Sequence, residues 1–532
     1  MYRNYAIFIV VNFKNKLVLL AMRISLVALI ILFNGIVLTA QNHYWAQQFG
    51  AENTLLGGAV VGGVSDNSAM YYNPARLGFI ESPKISVSAN AYGVEIVKLK
   101  NAAGTNLDLK SAKLVLFPQI ASGSLTIRKN PKVKMVYGSL IRYRTALHYE
   151  QTNSMSYDLF KQFPGNEFYD ARIEYDYNST ANWFGGAVAY KLNKNWSIGY
   201  TQFFTYINLQ YRQTYNITSD NFANNIYFVS SNNNNLNFII NNVGAVEKIG
   251  VAYENKSTKK DSLLFKFGCT ITMPSFKIFS KSKVYHSLEF NNIIQEDFTV
   301  IDSFRNLSVV LNNANENIKS NFKDPASIAL GFEIENKKIR FCTTIEYFFK
   351  VKEYNIIKDN SKTYIRPIRS NNPDYITDYM TIKQKNQPIV NAAIGFEYKL
   401  KTKVKKEDKT RTWSLLFGIR TDFNNHDQVY RLQKEDNVSG DAFNPDNWRY
   451  LHYSFGVSID RKTDKFSFGI DYGKGLTNTT LQAINITEPT ADNYMLGVNQ
   501  NTVVPKINAI NFIMGYTYKF NKTDRLMKIR PL

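Results

Sequence analysis

The stretch Ile510-Asn511-Phe512-Ile513-Met514-Gly515-Tyr516-Thr517-Tyr518-Lys519-Phe520 decides the fold. Ile510, Phe512, Met514, Tyr516, Tyr518 and Phe520 fall on one face, and Asn511, Ile513, Gly515, Thr517 and Lys519 on the other. A period of two over ten or more residues is a strand with one apolar face. The pattern recurs upstream. Tyr453, Phe455, Val457 and Ile459 alternate with Ser454, Gly456, Ser458 and Asp460. After Arg461-Lys462-Thr463-Asp464 come Phe466, Phe468, Ile470 and Tyr472 against Ser467, Gly469 and Asp471. The result is a hairpin whose Phe- and Tyr-rich face suits a lipid boundary, while its Gly, Ser and charged face suits a wet lumen.

Further hairpins follow the same reading. Ala326–Ile334 and Ile339–Phe349 flank Glu335-Asn336-Lys337-Lys338, and Trp183–Leu192 and Trp196–Leu209 flank Asn193-Lys194-Asn195. Ile389–Leu400 pairs with Thr412–Thr421, Lys248–Glu254 with Leu263–Thr272, and Leu125 and Val133 flank Lys129-Asn130-Pro131-Lys132. With a first strand near Ile85–Val97 this makes about fourteen strands, inside the range of outer-membrane barrels. Short turns alternate with long polar connections, roughly 150–180, 214–244, 276–325, 353–387, 423–448 and 473–507. That order is expected of a barrel with short periplasmic turns, long extracellular loops and both termini in the periplasm. The expected fold is therefore all-β, an antiparallel transmembrane barrel over residues 84–520, ahead of a basic tail at 521–532.

Composition narrows the function. The 532 residues carry a formal charge of +21, and 14% are aromatic. The lysines are scattered and no segment reads as a recognition helix, so nucleic acid is not an expected partner. Two cysteines, Cys269 and Cys342, exclude a disulfide scaffold and read as packing residues inside strands. Beyond residue 40 no apolar run reaches the ~20 residues a membrane helix needs.

The chain opens with an export signal over residues 1–40. Arg23 precedes the apolar run Ile24–Leu38, and Ala40 followed by Gln41 offers a cleavage point. Residues 1–21 lie ahead of this layout, which makes Met22 a candidate start. Losing Arg3, Lys14, Lys16 and Arg23 with the signal brings the charge from +21 to +17. Fourteen strands enclose more space than side chains fill, so a plug is expected, and residues 41–83 are available for it. They hold Gly57-Gly58 and Gly62-Gly63, then Asp66-Asn67-Ser68-Ala69-Met70-Tyr71-Tyr72-Asn73-Pro74-Ala75-Arg76-Leu77-Gly78. Asn73-Pro74 is turn chemistry by itself.

That motif resembles the hatch of the FadL/TodX family of outer-membrane channels for long-chain fatty acids and other hydrophobic compounds. Phe117-Pro118, Asp324-Pro325-Ala326-Ser327-Ile328-Ala329-Leu330-Gly331 and Ile394-Gly395-Phe396-Glu397-Tyr398-Lys399-Leu400 extend the resemblance over most of the chain. It implies a hatch at 41–83 carrying Asp66, Ser68, Ala69, Tyr71, Tyr72, Asn73, Pro74, Ala75 and Gly78, held by the Asn73-Pro74 turn until ligand arrives. It also implies a hydrophobic, fatty acid-like solute that leaves sideways through a distorted third strand. Within Val133–Tyr149, Gly138 is the residue that invites such a kink. The surrounding partners would be outer-membrane lipid and the barrel assembly machinery, which reads a terminal aromatic such as Phe520. The same resemblance admits a second reading, an accessory barrel of type IX secretion, favoured by the long loops.

No enzyme is expected. His43, His148, His286, His426 and His452 do not fall at metal-ligand spacing, and neither a nucleophile elbow nor a phosphate loop is present. Neither a cofactor nor a metal is implied. Asp460 and Asp471 sit on the expected lumen face, where pairing with lumen lysines is the simplest role. Asp441–Asp446 has a calcium-like composition without a standard spacing. Tyr354, Tyr364, Tyr375 and Tyr379 read as interfacial loop tips.

Overall fold

The computed structural model describes residues 43–80, 84–127, 130–161, 163–223, 226–255, 263–296, 299–300, 309–359, 363–367, 374–376, 380–403, 410–423, 449–476 and 479–519. The expected signal with Ala40 and Gln41, residues 441–446, Tyr379, Phe520 and the basic tail lie outside them.

Fourteen antiparallel strands close into one barrel. They are β1 (Lys84–Gly104), β2 (Leu107–Thr126), β3 (Val133–Tyr157), β4 (Glu167–Lys191), β5 (Trp196–Ala223) and β6 (Ile226–Glu254). β7 runs through Leu264–Thr272 and Phe276–Glu296, and β8 through Val309–Ile318 and Ser327–Glu335. β9 covers Ile339–Phe348 and Val351–Asp359, and β10 covers Met380–Asn386 and Ile389–Lys403. β11 (Thr410–Asp422), β12 (Arg449–Asp460), β13 (Asp464–Leu476) and β14 (Val504–Lys519) complete the set. β14 pairs with β1 from Lys519↔Lys84 to Val504↔Lys100, which closes the sheet and removes its edges. Among the described residues no helix is long and apolar enough to cross a membrane; the strands do that.

The outward face confirms the alternation read from sequence. Phe455, Phe468, Phe417, Phe512, Met514 and Tyr516 all stand exposed on the wall. Together with Trp196, Ile198, Phe204 and Tyr206 they form an apolar belt, the mark of a barrel of the outer-membrane type.

Two expectations need correction. The long connections at 150–180, 214–244 and 276–325 are for the most part strand: β3 ends at Tyr157 and β4 begins at Glu167, and β5 and β6 are separated only by residues 224–225. At ~3.3 Å per residue and a tilt near 40°, the 28 residues of β5 rise roughly 70 Å, against an apolar belt of about 25 Å. Above the belt the alternation inverts. Tyr169, Ala171, Ile173, Tyr175 and Tyr177 turn inward and are buried, while Arg172 and Asn178 face out. Water outside demands polar residues there, so the sequence looks like loop while the backbone stays in the sheet. For the same reason Tyr354 is no loop tip: it lies in β9, 9% exposed, its hydroxyl bonded to Gln384. Tyr364 and Tyr375 are register partners in two short paired strands, Thr363–Pro367 and Asp374–Ile376.

Nor is the lumen wet at belt level. Residues 43–80 fill it, with two short helices, α1 (Ala51–Leu55) and α2 (Ala69–Tyr72), and a 3-10 turn at Pro74–Phe79. Leu55, Leu56, Val60, Met70 and Leu77 are almost wholly buried. The wall meets this segment with glycine pairs on neighbouring strands: Gly199↔Gly250, Gly268↔Gly331, Gly395↔Gly418 and Gly456↔Gly469. A Cβ on Gly331 would stand 2.3 Å from the Gly62 nitrogen, and one on Gly418 2.2 Å from the Gly57 nitrogen. The small inward residues make room for backbone. Gly331→Val is expected to leave the barrel folded but unseat the inner segment, exposing residues 43–80 to protease; a wild-type digestion pattern would show that the close approach is dispensable.

Candidate functional site

The inner segment is clamped by its own motif. Asp66 accepts from the Ser68 amide (2.9 Å) and hydroxyl, and Asn53 Nδ2 donates to Ser68 Oγ at 2.7 Å. Ala69 opens α2, where Tyr71 and Tyr72 point into the packed lumen. The Tyr72 hydroxyl donates to Gln48 Oε1 (2.9 Å) and accepts from the Phe49 amide (2.8 Å). Burial holds both phenols well above their ordinary pKa, so they stay neutral.

Asn73 is more than a turn residue. Its Nδ2 donates to the Val61 carbonyl (3.2 Å) and to the Val251 carbonyl of β6 (3.1 Å), while its Oδ1 accepts from the Ala75 amide at 3.1 Å. Pro74 starts the 3-10 turn. Gly78 passes so close to β5 that a Cβ would stand 2.2 Å from Ser197 Oγ. Ion pairs complete the clamp: Glu52 with Arg340 (2.9 Å) and Lys465, Arg76 with Glu254 (3.0 Å), and His43 with Asp422 (3.0 Å). Buried pairs of this kind fix a position more surely than they add stability.

One side of the wall is irregular. β2 and β3 share a ladder only from Thr126↔Lys134 to Ile120↔Leu140. Beyond it the described contacts are side-chain bonds, from the His148 amide to Ser111 Oγ (3.1 Å) and from Gln151 Nε2 to the Asp108 carbonyl (2.9 Å). At the same height three adjacent strands slip by a residue. β1 shifts between Ser88 and Gly93, β2 passes Pro118, and β3 shifts at Arg142, which the β4 register skips. A bulge flips the parity of the side chains. Val136, Leu140 and Arg142 are buried before it, and Leu147 and Tyr149 after it. Gly138, the expected kink, sits in regular register opposite Gly185; the irregularity falls at Arg142.

Arg142 turns inward beside the plug. Its guanidinium lies 5.5 Å from the Tyr71 ring centroid and 5.7 Å from that of Trp183. Lys248 of β6 approaches the same Tyr71 ring at 4.2 Å. Neither cation has a carboxylate partner within ion-pair distance among the described residues, and Arg142 Nη1 and Trp183 Nε1 are buried without a hydrogen-bond partner. The nearby Glu346 is engaged, accepting from Trp45 Nε1 and Ser327 Oγ, both at 2.6 Å. Unsatisfied buried donors are uncommon and ask for a partner. Sequence reasoning missed Arg142 and Lys248: 106 positions separate them, and the bulge that turns Arg142 inward has no local signature. Above them is a cavity of about 90 Å³, lined by His43, Glu95, Tyr143, Tyr177, Tyr450 and His452 among others.

No family model matches the chain, and no curated protein matches it in sequence. Among solved structures it is similar to the P. putida toluene transporter TodX, with 13% identity over 89% of this chain and 99% of that one and a TM-score of 0.47. It is also similar to the Ralstonia pickettii toluene transporter TbuX (12%, 89% and 98%, TM-score 0.44) and to a Pseudomonas aeruginosa FadL homologue (12%, 91% and 99%, TM-score 0.46).

The remaining residues singled out from sequence have structural partners. Asp471 takes a bidentate contact from Arg420 (2.7 and 2.9 Å) and lies 3.2 Å from His452 Nδ1. Asp460 pairs with Lys519. Cys342 is fully buried, and Cys269 half-buried. His148, Glu174 and Asp176 do converge, from two strands, with ligand atoms within 4.8 Å of one another. Arg212 already bridges both carboxylates (2.6 Å to Glu174, 2.5 Å to Asp176), which makes the group an ion-pair ladder on the outer surface.

Proposed function

We propose that the chain is an outer-membrane channel for passive uptake of hydrophobic compounds carrying an acidic head, long-chain fatty acids foremost. In this reading residues 41–83 are the hatch of a barrel spanning 84–520, the short turns and termini face the periplasm, and the tall end faces outward. The apolar belt meets lipid, and the assembly machinery inserts the barrel.

The observation that carries this reading is the group of donors around Tyr71: Arg142 Nη1 and Trp183 Nε1, buried without a hydrogen-bond partner, and the Lys248 ammonium over the same ring. An acid head satisfies them, while a neutral hydrocarbon leaves them unmet. Arg142 is also the residue at which β3 slips, next to the seam where β2 and β3 lose their ladder. A ligand head held there lies beside a lateral way out. The secretion-accessory reading drew on long loops, and most of those are strand.

Arg142→Met combined with Lys248→Met tests it. Charge-assisted hydrogen bonds contribute about 1.5–3 kcal/mol each, so losing both cations should weaken palmitate binding by roughly a hundred- to ten-thousandfold. Toluene should bind as before. Unchanged palmitate affinity in a folded variant overturns the reading.

A further inference from the structure

Residues 479–503, between β13 and β14, do not lie over the tall end of the barrel; they enter it. Ile484, Ile486, Met495 and Val503 are buried to within a few per cent. They pack in one cluster with the inward residues of the tall tier, among them Tyr149, Tyr169, Ile173, Phe228 and Phe238. The segment reaches across the lumen. On one side the Ala483 and Ile486 amides bond the Ala102 and Ala103 carbonyls of β1 (3.1 and 3.0 Å), and on the other Tyr494 meets Phe290 of β7 edge-on at 5.2 Å.

Two features set this contact apart from ordinary loop packing. Wall side chains hold the segment by its backbone carbonyls: Asn153 Nδ2 to Ile486 (2.7 Å), the Tyr169 hydroxyl to Met495 (3.0 Å), and Asn232 Nδ2 to Tyr494 (2.8 Å). Its geometry is also strained. Among the described residues, the non-glycine positions with positive φ are Asn101, Asn106, Tyr494 and Met495. The first two form the hairpin tip that grips the segment, and the last two belong to the segment itself. Tyr and Met adopt this conformation reluctantly, and such residues persist only where their surroundings impose it.

The tier these residues fill is lined by apolar wall side chains. The open cavity below it measures about 90 Å³, whereas pockets for drug-sized ligands run to roughly 300–1,000 Å³. We propose that the tall tier is a second binding site, a chamber for an unbranched apolar chain, and that residues 483–497 occupy it as a displaceable internal lid. The inference rests on the hydrophobic-uptake reading, but not on its acid-head site. Ile484, Ile486 and Met495 take the place of successive chain segments, and the strain at Tyr494 and Met495 keeps the lid ready to leave.

The test replaces residues 483–497 by a Gly-Ser linker of equal length and counts bound palmitate and hexadecane by native mass spectrometry. The replaced barrel should hold one more chain of either kind than wild type. Hexadecane has no head for Arg142 and Lys248, so its extra copy reports the chamber even if the acid site fails. Wild-type stoichiometry for both molecules overturns the proposal. A second variant guards against a linker barrel that does not fold: Asn153→Ala with Asn232→Ala removes two of the three lid donors and should speed palmitate entry severalfold. Unchanged entry rates count against the lid.

Discussion

A barrel lacking residues 41–83 should stay closed to ions until residues 483–497 are also replaced, and then conduct steadily. Fourteen strands lie between the eight that side chains can fill and the sixteen to eighteen that leave an aqueous channel. At belt level the wall contributes little of its own filling, because glycines at 250, 268, 331 and 418 face the plug. Taking away the inner segment therefore leaves a hole at that height. The tall tier remains shut by the buried residues of 479–503. Planar-bilayer recording of the two single variants and the double variant separates the seals. A fully open single deletion of 41–83 would show that the tall tier is no barrier.

The second large effect concerns Arg420. This residue is 1% exposed, holds Asp471 through both terminal guanidinium nitrogens, lies 2.9 Å from His452 Nδ1, and donates through Nε to the Trp45 carbonyl at 3.3 Å. Arg420→Met keeps the volume and removes the charge. It strands Asp471, itself 2% exposed, without its cation. Breaking one member of a buried pair costs about 3–5 kcal/mol, so urea unfolding in detergent should shift by that amount. Arg420→Met with Asp471→Leu removes both charges and should recover most of the loss. Failure of that rescue would mean that Arg420 acts mainly through Trp45 and the hatch.

The strands were legible wherever one face meets lipid, as in Tyr453–Ile459 and Phe466–Tyr472, because the period of two survives there unmasked. They were illegible above the belt. In Tyr169–Tyr177 the apolar face turns inward and the polar face outward, so polar density resembles loop although the period is intact. The compact inner segment was legible through Asp66–Gly78, since its turn and capping residues are local. The seam was not. Gly138 is the visible oddity of β3, but the slip occurs at Arg142, where neighbouring strands lose register together. Arg142, Lys248 and Trp183 meet around one tyrosine from three strands, and nothing local to any of them announces it.

The glycine-faced wall also dictates an order of events during biogenesis. A belt that presents backbone to the lumen has nothing to pack against until the hatch is inside it. β1 and β14, the two ends of the strand sequence, are the pair that closes the cylinder, so sealing that seam last lets the sheet curl around residues 43–80. The amino-terminal segment is expected to lie within the curling sheet before the final seam forms. It thus serves as a mandrel around which the cylinder is wound, before it serves as a stopper.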